Sequence, residues 1–353
     1  MSASGPWLDV DLGALLRNAR SYAKTIGVPI LPMVKANAYG LGVLPVARAL
    51  EAIDPWGFGV ATLGEARQLR QAGMGRRIMV FVPFVPERLD EYLELDLRPA
   101  IGSVRGLDAW MGASDRPFHL EIDTGMGRGG FRWHDDASLA AARERIQGSS
   151  RYEGVFMHFA ASDTSEAMTV EQADRFDTVV AALGRPAVVH LANSAAGQWG
   201  TRYAGTLARP GIFLYGGQAG ALVPEPVARL QALVHAVRPV RAGDTISYGA
   251  THTVAADGEV VTLGIGYADG LHRALSGTGL VAIGDASWTI AGRVTMDMTM
   301  IVTPRQTVRV GQVATLFGGP LPLDAQAARA GTISYELLTS VGPRVVRRYG
   351  ETA

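Results

Sequence analysis

The chain has no cysteine in 353 residues. That excludes disulfides, cysteine-ligated zinc and thiol nucleophiles. It also lacks net charge: 33 Lys+Arg balance 33 Asp+Glu, so nothing electrostatic favours nucleic acid or an anionic membrane as partner. No apolar run reaches the about 18 residues of a membrane span. The opening MSASGPWLDVDL has no basic segment leading into an apolar core, so no signal peptide is read there, and a cytoplasmic location is expected. The seven histidines are scattered with no metal-ligand spacing, so no metal is expected. Low-complexity tracts and short repeats are also missing.

What remains is globular. Hydrophobic residues make up 48% and charged residues 19%, enough apolar content to bury a sizeable core. The length suits about two domains. Short apolar runs occur at 29–34, 57–62, 77–82, 97–101, 118–123, 152–158, 187–192 and 206–211. Segments with apolar residues at three- and four-residue spacing separate most of them, at 44–53, 63–73, 87–95, 138–146 and 170–183. Strands alternating with helices argue for parallel pairing, and eight is the number that closes a TIM-type barrel. A doubly wound open sheet is the alternative that counting leaves open. After about residue 225 the pattern turns to short β-branched runs broken by Gly and Asp-Gly turns, with one helix expected near 332–338. The expected fold is therefore α/β: an N-terminal (β/α)8 barrel over 1–225, then a mainly-β domain over 226–353.

Barrel chemistry gathers at the C-terminal ends of the strands. In PMVKANAYGLG (32–42), an apolar run ends on Lys35. Arg128 lies just past the run ending at Asp123, His158 ends the next, Asn193 and Ser194 follow 187–192, and Arg209 closes the last. Each alone is more simply a paired structural residue; five on one rim point to a site. A lysine buried at a barrel mouth loses charge by desolvation and becomes nucleophilic, which suits a Schiff base. Tyr39 shares its side if a helix starts there. GMGRGG (125–130) is weak as a phosphate loop because it lacks the following Lys-Ser/Thr. RPGIFLYGG (209–217) is better: the amides of Gly211 and Ile212 can donate to an anion.

These residues resemble a family. PMVKANAYGLG looks like the pyridoxal-phosphate lysine motif of alanine racemases. DTGMGRGG (123–130), MHFAASD (157–163), HLANSAA (190–196), RPGIFLYG (209–216), SYGATHT (247–253), GYADG (266–270), GRVTMD (292–297) and GTISYEL (331–337) match the family in the same order. The resemblance implies racemisation of alanine for peptidoglycan D-alanine, with pyridoxal 5'-phosphate as cofactor. It also implies a homodimer whose sites each draw on both chains. Lys35 then binds the cofactor; Tyr39, Ser194, Gly211, Ile212 and Tyr335 hold its phosphate; Arg209 faces the ring nitrogen; and His158 packs on the ring. Arg128 and the Met296 amide meet the substrate carboxylate. Tyr248 of the partner chain is the second acid/base beside Lys35, and a phenol acts as a base near neutrality only in positive surroundings. Asp163, Tyr267, Arg293 and Asp297 line or flank the entrance.

Two positions depart from the family pattern. Glu121 stands where many members carry a carbamylated lysine, and could supply the negative charge itself; Thr295 stands where a cysteine is common. Competing readings are a broad-specificity or serine racemase, a decarboxylase, which on a related fold generally uses the cysteine this chain lacks, and a non-catalytic cofactor carrier, which would not need residues 226–353 or Tyr248.

Overall fold

The computed structural model describes residues 5–350; the outermost residues of both expected domains lie outside the described residues. Six parallel strands run in the order Gly57–Val60, Arg77–Pro83, Leu97–Ile101, Phe118–Asp123, Tyr152–Phe156 and Val188–His190. Gly57–Val60 is buried throughout, as expected of a parallel strand covered on both faces.

The expected strands at 29–34 and 206–211 are not regular strands. Each survives as an isolated bridge, Ile30 to Ala208 and Met33 to Gly59. The cause is local: Pro29, Pro32 and Pro210 have no N–H to give to a ladder. Backbone hydrogen bonds still close the ring. Thr206 N–H reaches Val189 O at 2.7 Å, Leu31 N–H reaches Ala208 O at 2.8 Å, and Val34 N–H reaches Gly59 O at 2.8 Å. Eight staves thus form a TIM-type barrel with two prolyl-broken members.

The expected helices are present, with shifted ends, as Val43–Leu50, Leu63–Gln71, Leu89–Glu94, Asp136–Ile146 and Glu166–Leu183. Two further helices, Leu12–Ile26 and Val104–Ala113, complete the coat. The first is capped by Asp11, whose carboxylate accepts the Ala14 N–H at 2.8 Å, and ends at Gly27 with φ 74°. Its buried positions 14, 15, 18, 19, 22 and 26 keep one face on the barrel.

The remaining chain is mainly β. The 13-residue strand Ala228–Val240 pairs antiparallel along its length with Trp7–Asp11, Val313–Phe317 and Gly258–Leu263. Trp7–Asp11 also lies parallel to Val346–Gly350. The first strand of the chain therefore belongs by hydrogen bonding to the C-terminal sheet, although 1–225 is expected as the barrel. Near the C-terminus the helix Ser334–Thr339 meets the one expected at 332–338, and a second helix, Leu323–Arg329, precedes it.

Candidate active site

The barrel staves deliver their polar ends to one cavity, lined among others by Lys35, Tyr39, Arg128, His158, Ser194 and Arg209. Gly211 and Tyr335 complete its wall, so a residue from the C-terminal half reaches into the barrel mouth.

Lys35 opens a turn of unusual hand. Ala36, Asn37, Ala38 and Tyr39 all have φ between 52° and 55°. The expectation of an ordinary helix reaching Tyr39 is corrected here: the turn is left-handed. L-residues resist this conformation by about 1–2 kcal/mol each, which is why consecutive ones are rare. Of the four only Asn37 is a residue type that readily tolerates this region, and neighbouring groups hold the rest. Asn37 Oδ1 accepts the Val43 N–H at 2.8 Å, and the Tyr39 ring stacks on Tyr215 at 4.5 Å. Tyr215 itself donates its hydroxyl to Met33 O at 2.8 Å.

Burial lowers the pKa of Lys35, assisted by Arg128 and Arg209 and opposed by Glu65. A larger share of its amine is therefore neutral at a given pH than in solution.

Beside it lie the residues expected to form an anion cradle. Ser194 Oγ accepts the Gly211 N–H at 2.9 Å. Gly211 is required: a Cβ there would collide with the Tyr39 hydroxyl. Ile212 begins the short 3-10 turn Ile212–Tyr215 behind it. Tyr335 approaches Tyr39 with ring centroids 5.9 Å apart.

Arg209 lies 4% exposed beneath this cradle. It donates to Met157 O at 2.7 Å, Leu191 O at 3.1 Å and His190 Nδ1 at 2.9 Å, and also to His190 O. Burial pulls its pKa down to about 9, against the opposing pull of Glu121. His158 is brought down to about 3, by burial first and then by Arg209, Arg128 and Lys35, so its ring is neutral.

A chain of polar groups missed at the sequence level runs from Arg209 into the barrel. Arg209 can only donate, so His190 Nδ1 accepts and His190 Nε2–H donates. His119 Nδ1 receives that bond at 2.7 Å, and its Nε2–H faces Glu153 at 3.2 Å. Both imidazoles are neutral in this arrangement. Burial lowers both pKa values, and Glu153 opposes this only at His119. The two histidines lie inside strands, at positions that an apolar pattern alone hides.

These depressed values set a pH dependence. The unfolded chain binds protons on His119 and His190 below about pH 6.5, whereas the folded chain binds them only at lower pH. Stability is thus fully present above that pH and falls as the pH drops below it, by up to about 1.4 kcal/mol per pH unit and histidine. Chemical denaturation between pH 7.5 and 5 tests this; equal stability at both ends would contradict it.

Glu121 is buried, and its Oε2 has no hydrogen-bond partner. Burial raises its pKa against the opposing pull of Arg128 and Arg209. Among the described residues no ion pair within 4 Å joins it to Arg128.

The expected C-terminal contributors gather elsewhere. Tyr248 is 70% exposed and Met296 52% exposed, and neither lines the cavity. They share one surface. Ser247 Oγ donates to Arg293 O at 2.6 Å, Tyr267 N–H reaches Thr295 O at 3.0 Å, and Ala268 N–H reaches Met296 O at 2.9 Å. Asp297 pairs with Arg344 at 2.9 Å. Asp163 is exposed near Tyr335, whose phenol pKa it helps to raise after burial.

A TIM-type barrel with a lysine and a buried arginine on one cavity at its mouth, followed by a β-domain, defines a lysine-centred barrel enzyme. Comparison with known proteins names the family. The alanine racemase N-terminal domain model matches residues 10–219, and the C-terminal domain model matches 227–349. Alanine racemase from Carboxydothermus hydrogenoformans is 35% identical, over 97% of this chain and 99% of that protein. The one from Rhizobium meliloti is 38% identical, over 97% and 96%. Among solved structures, the biosynthetic alanine racemase of Pseudomonas aeruginosa is similar with TM-score 0.90 at 32% identity, covering 98% of this chain and 99% of that one. A second, from Bartonella henselae, carries covalently bound pyridoxal phosphate and has TM-score 0.90 at 27% identity, covering 98% and 99%. The chain belongs to the alanine racemase family and is an amino-acid racemase.

Proposed function

We propose that this racemase interconverts L- and D-alanine using pyridoxal phosphate, with the Cα proton moved by Lys35 on one face and by Tyr248 of a second copy of the chain on the other. One observation carries the reading: a cavity uniting Lys35, an anion cradle and a buried arginine supplies a single proton-transferring amine.

The residues present fit the cofactor. Lys35 would hold it. Tyr39, Ser194, Gly211, Ile212 and Tyr335 would take its phosphate, and the missing Cβ of Gly211 is what lets the Tyr39 hydroxyl reach that wall. Arg209, fixed by its carbonyl acceptors, would face the ring nitrogen, and His158 would pack on the ring. Once bound, pyridoxal phosphate supplies an electron sink for the charge left on Cα.

Lys35 Nζ, with its lowered pKa, can take or return the proton at Cα. Inversion requires a second group on the opposite face. Tyr248 lies exposed and away from the cavity of its own chain, which supports a homodimer that brings it to a neighbour's. Met296 travels with it on the same surface, where its amide would meet the substrate carboxylate beside Asp297, while Tyr267 and Arg293 would line the entrance together with Asp163. In this reading 1–225 holds the cofactor with Tyr335 reaching in from the second half, and 226–353 lends its β-domain to the partner, with the strand Trp7–Asp11 tying the two halves together.

Arg128 would meet the substrate carboxylate. A carboxylic acid cannot take up CO2 as a carbamate, so Glu121 makes the rate independent of bicarbonate. Equal rates in CO2-depleted and bicarbonate-supplemented buffer are expected; stimulation by bicarbonate would contradict this.

Supply of D-alanine for peptidoglycan is the role we assign. No helix among the described residues is long and apolar enough to cross a membrane. The test is D-amino-acid formation from L-alanine, L-serine and L-lysine. Alanine should be fastest, with slower serine turnover, because a methyl-scale difference discriminates by only about 1–3 kcal/mol. Faster turnover of serine or lysine would overturn the alanine assignment.

A further inference from the structure

The left-handed turn after Lys35 needs an external hold; Arg347 Nε donates to Gly40 O at its far end at 3.0 Å, and a carboxylate outside the cavity holds its first amide. Glu65 Oε1 accepts the Ala36 N–H at 2.6 Å. Its other oxygen accepts the N–H groups of Ala61 at 2.8 Å and Thr62 at 3.1 Å. Three backbone donors from two chain segments thus converge on one carboxylate. Ala61 and Thr62 directly follow the strand Gly57–Val60, which is the neighbour of the stave that ends at Lys35. Glu65 therefore ties the first amide of the left-handed turn to the end of the adjacent stave.

We propose that Glu65 is a positioning residue for Lys35: its carboxylate pins the left-handed turn so that the lysine side chain is aimed into the cavity. The proposal rests on the reading of Lys35 as the cofactor-holding residue. The chemistry of the bridge explains why a carboxylate stands here. Two oxygens present acceptors to both segments at once. A glutamine of the same shape has one acceptor oxygen and one NH2. It can satisfy Ala36 or the Ala61–Thr62 pair, and must aim N–H at the other.

Glu65 has a second function, and the two can be separated. It is the third residue of the helix Leu63–Gln71 and forms a capping box with Thr62, whose Oγ1 accepts the Glu65 N–H at 3.3 Å. Thr62→Ala removes this side-chain cap while leaving the Ala36 bond in place.

The experiment compares the holoenzyme with Glu65→Gln, Thr62→Ala and Lys35→Ala. Readouts are hydrogen exchange of the 34–42 segment, the pH dependence of the cofactor absorption, and kcat and KM for L-alanine. Glu65→Gln should speed exchange at Ala36–Gly40 by on the order of tenfold. It should also shift the pH midpoint of the cofactor band and lower kcat roughly 10- to 100-fold, with a smaller change in KM. Thr62→Ala should lower the melting temperature but leave exchange in this segment, the midpoint and kcat near wild type. If Glu65→Gln behaves like Thr62→Ala in all three readouts, Glu65 is only a helix cap and the proposal is overturned. If Glu65→Gln is insoluble, Glu65→Asp, one methylene shorter, is read the same way. Lys35→Ala tests the underlying reading by itself: a wild-type cofactor band in that variant would refute the Lys35 assignment, whatever Glu65 does.

Discussion

Replacing Tyr248 by phenylalanine should lower alanine racemisation by roughly 10²- to 10⁴-fold, the usual contribution of a positioned acid or base. The substitution removes one oxygen from a side chain that is 70% exposed in the single chain and makes no hydrogen bond among the described residues. Folding and cofactor absorption should therefore be unchanged. The loss should fall mainly on kcat, because the phenol acts in proton transfer and not in holding the cofactor. Unchanged turnover would remove Tyr248 from the mechanism.

The largest effect on stability should come from Arg209→Leu. Arg209 satisfies three backbone carbonyls and one imidazole nitrogen inside the barrel. Leucine fills much of the space but donates nothing, so buried acceptors at Met157, His190 and Leu191 lose their partner. Each buried acceptor left unsatisfied costs about 1–3 kcal/mol, so the loss should reach several kcal/mol. Urea denaturation, run with and without added cofactor, measures it. A loss below about 1 kcal/mol, the size of an ordinary substitution, would mean that water or a shifted side chain satisfies those carbonyls. Arg209→Lys should fall between the two, since one ammonium cannot span the acceptors that the guanidinium fork reaches.

Much of this site is legible in the sequence because its polar residues end apolar runs. Lys35, His158, Ser194 and Arg209 stand out for that reason, and the structure places them on one cavity. The six regular barrel strands follow from their apolar runs. Other features leave no periodic trace. The hand of the 36–39 turn depends on φ, and the sequence hints at it only through Asn37. His119 and His190 sit within strands, where nothing in the pattern shows that they pair with each other. Trp7–Asp11 is not among the strand-like runs of the sequence, and its partners lie more than 200 residues away. Glu65 looks like a helix-capping acid, which it is; its bond to Ala36 is a tertiary fact. Prolines 29, 32 and 210 could have warned that two staves would pair by single bridges.

The account turns on a site shared between chains, and complementation measures that directly. The Lys35→Ala and Tyr248→Phe proteins are each prepared alone, then unfolded together and refolded as a mixture. Each parent is defective at both of its sites. In a mixed dimer, one site combines both substitutions, while the other combines an intact Lys35 with an intact Tyr248. Random pairing makes half of the dimers mixed, so about a quarter of wild-type activity should return. Recovery near that level supports Lys35 and Tyr248 acting across the interface. A refolded mixture no more active than its parents, while refolded wild type regains full activity, would contradict the shared two-base site.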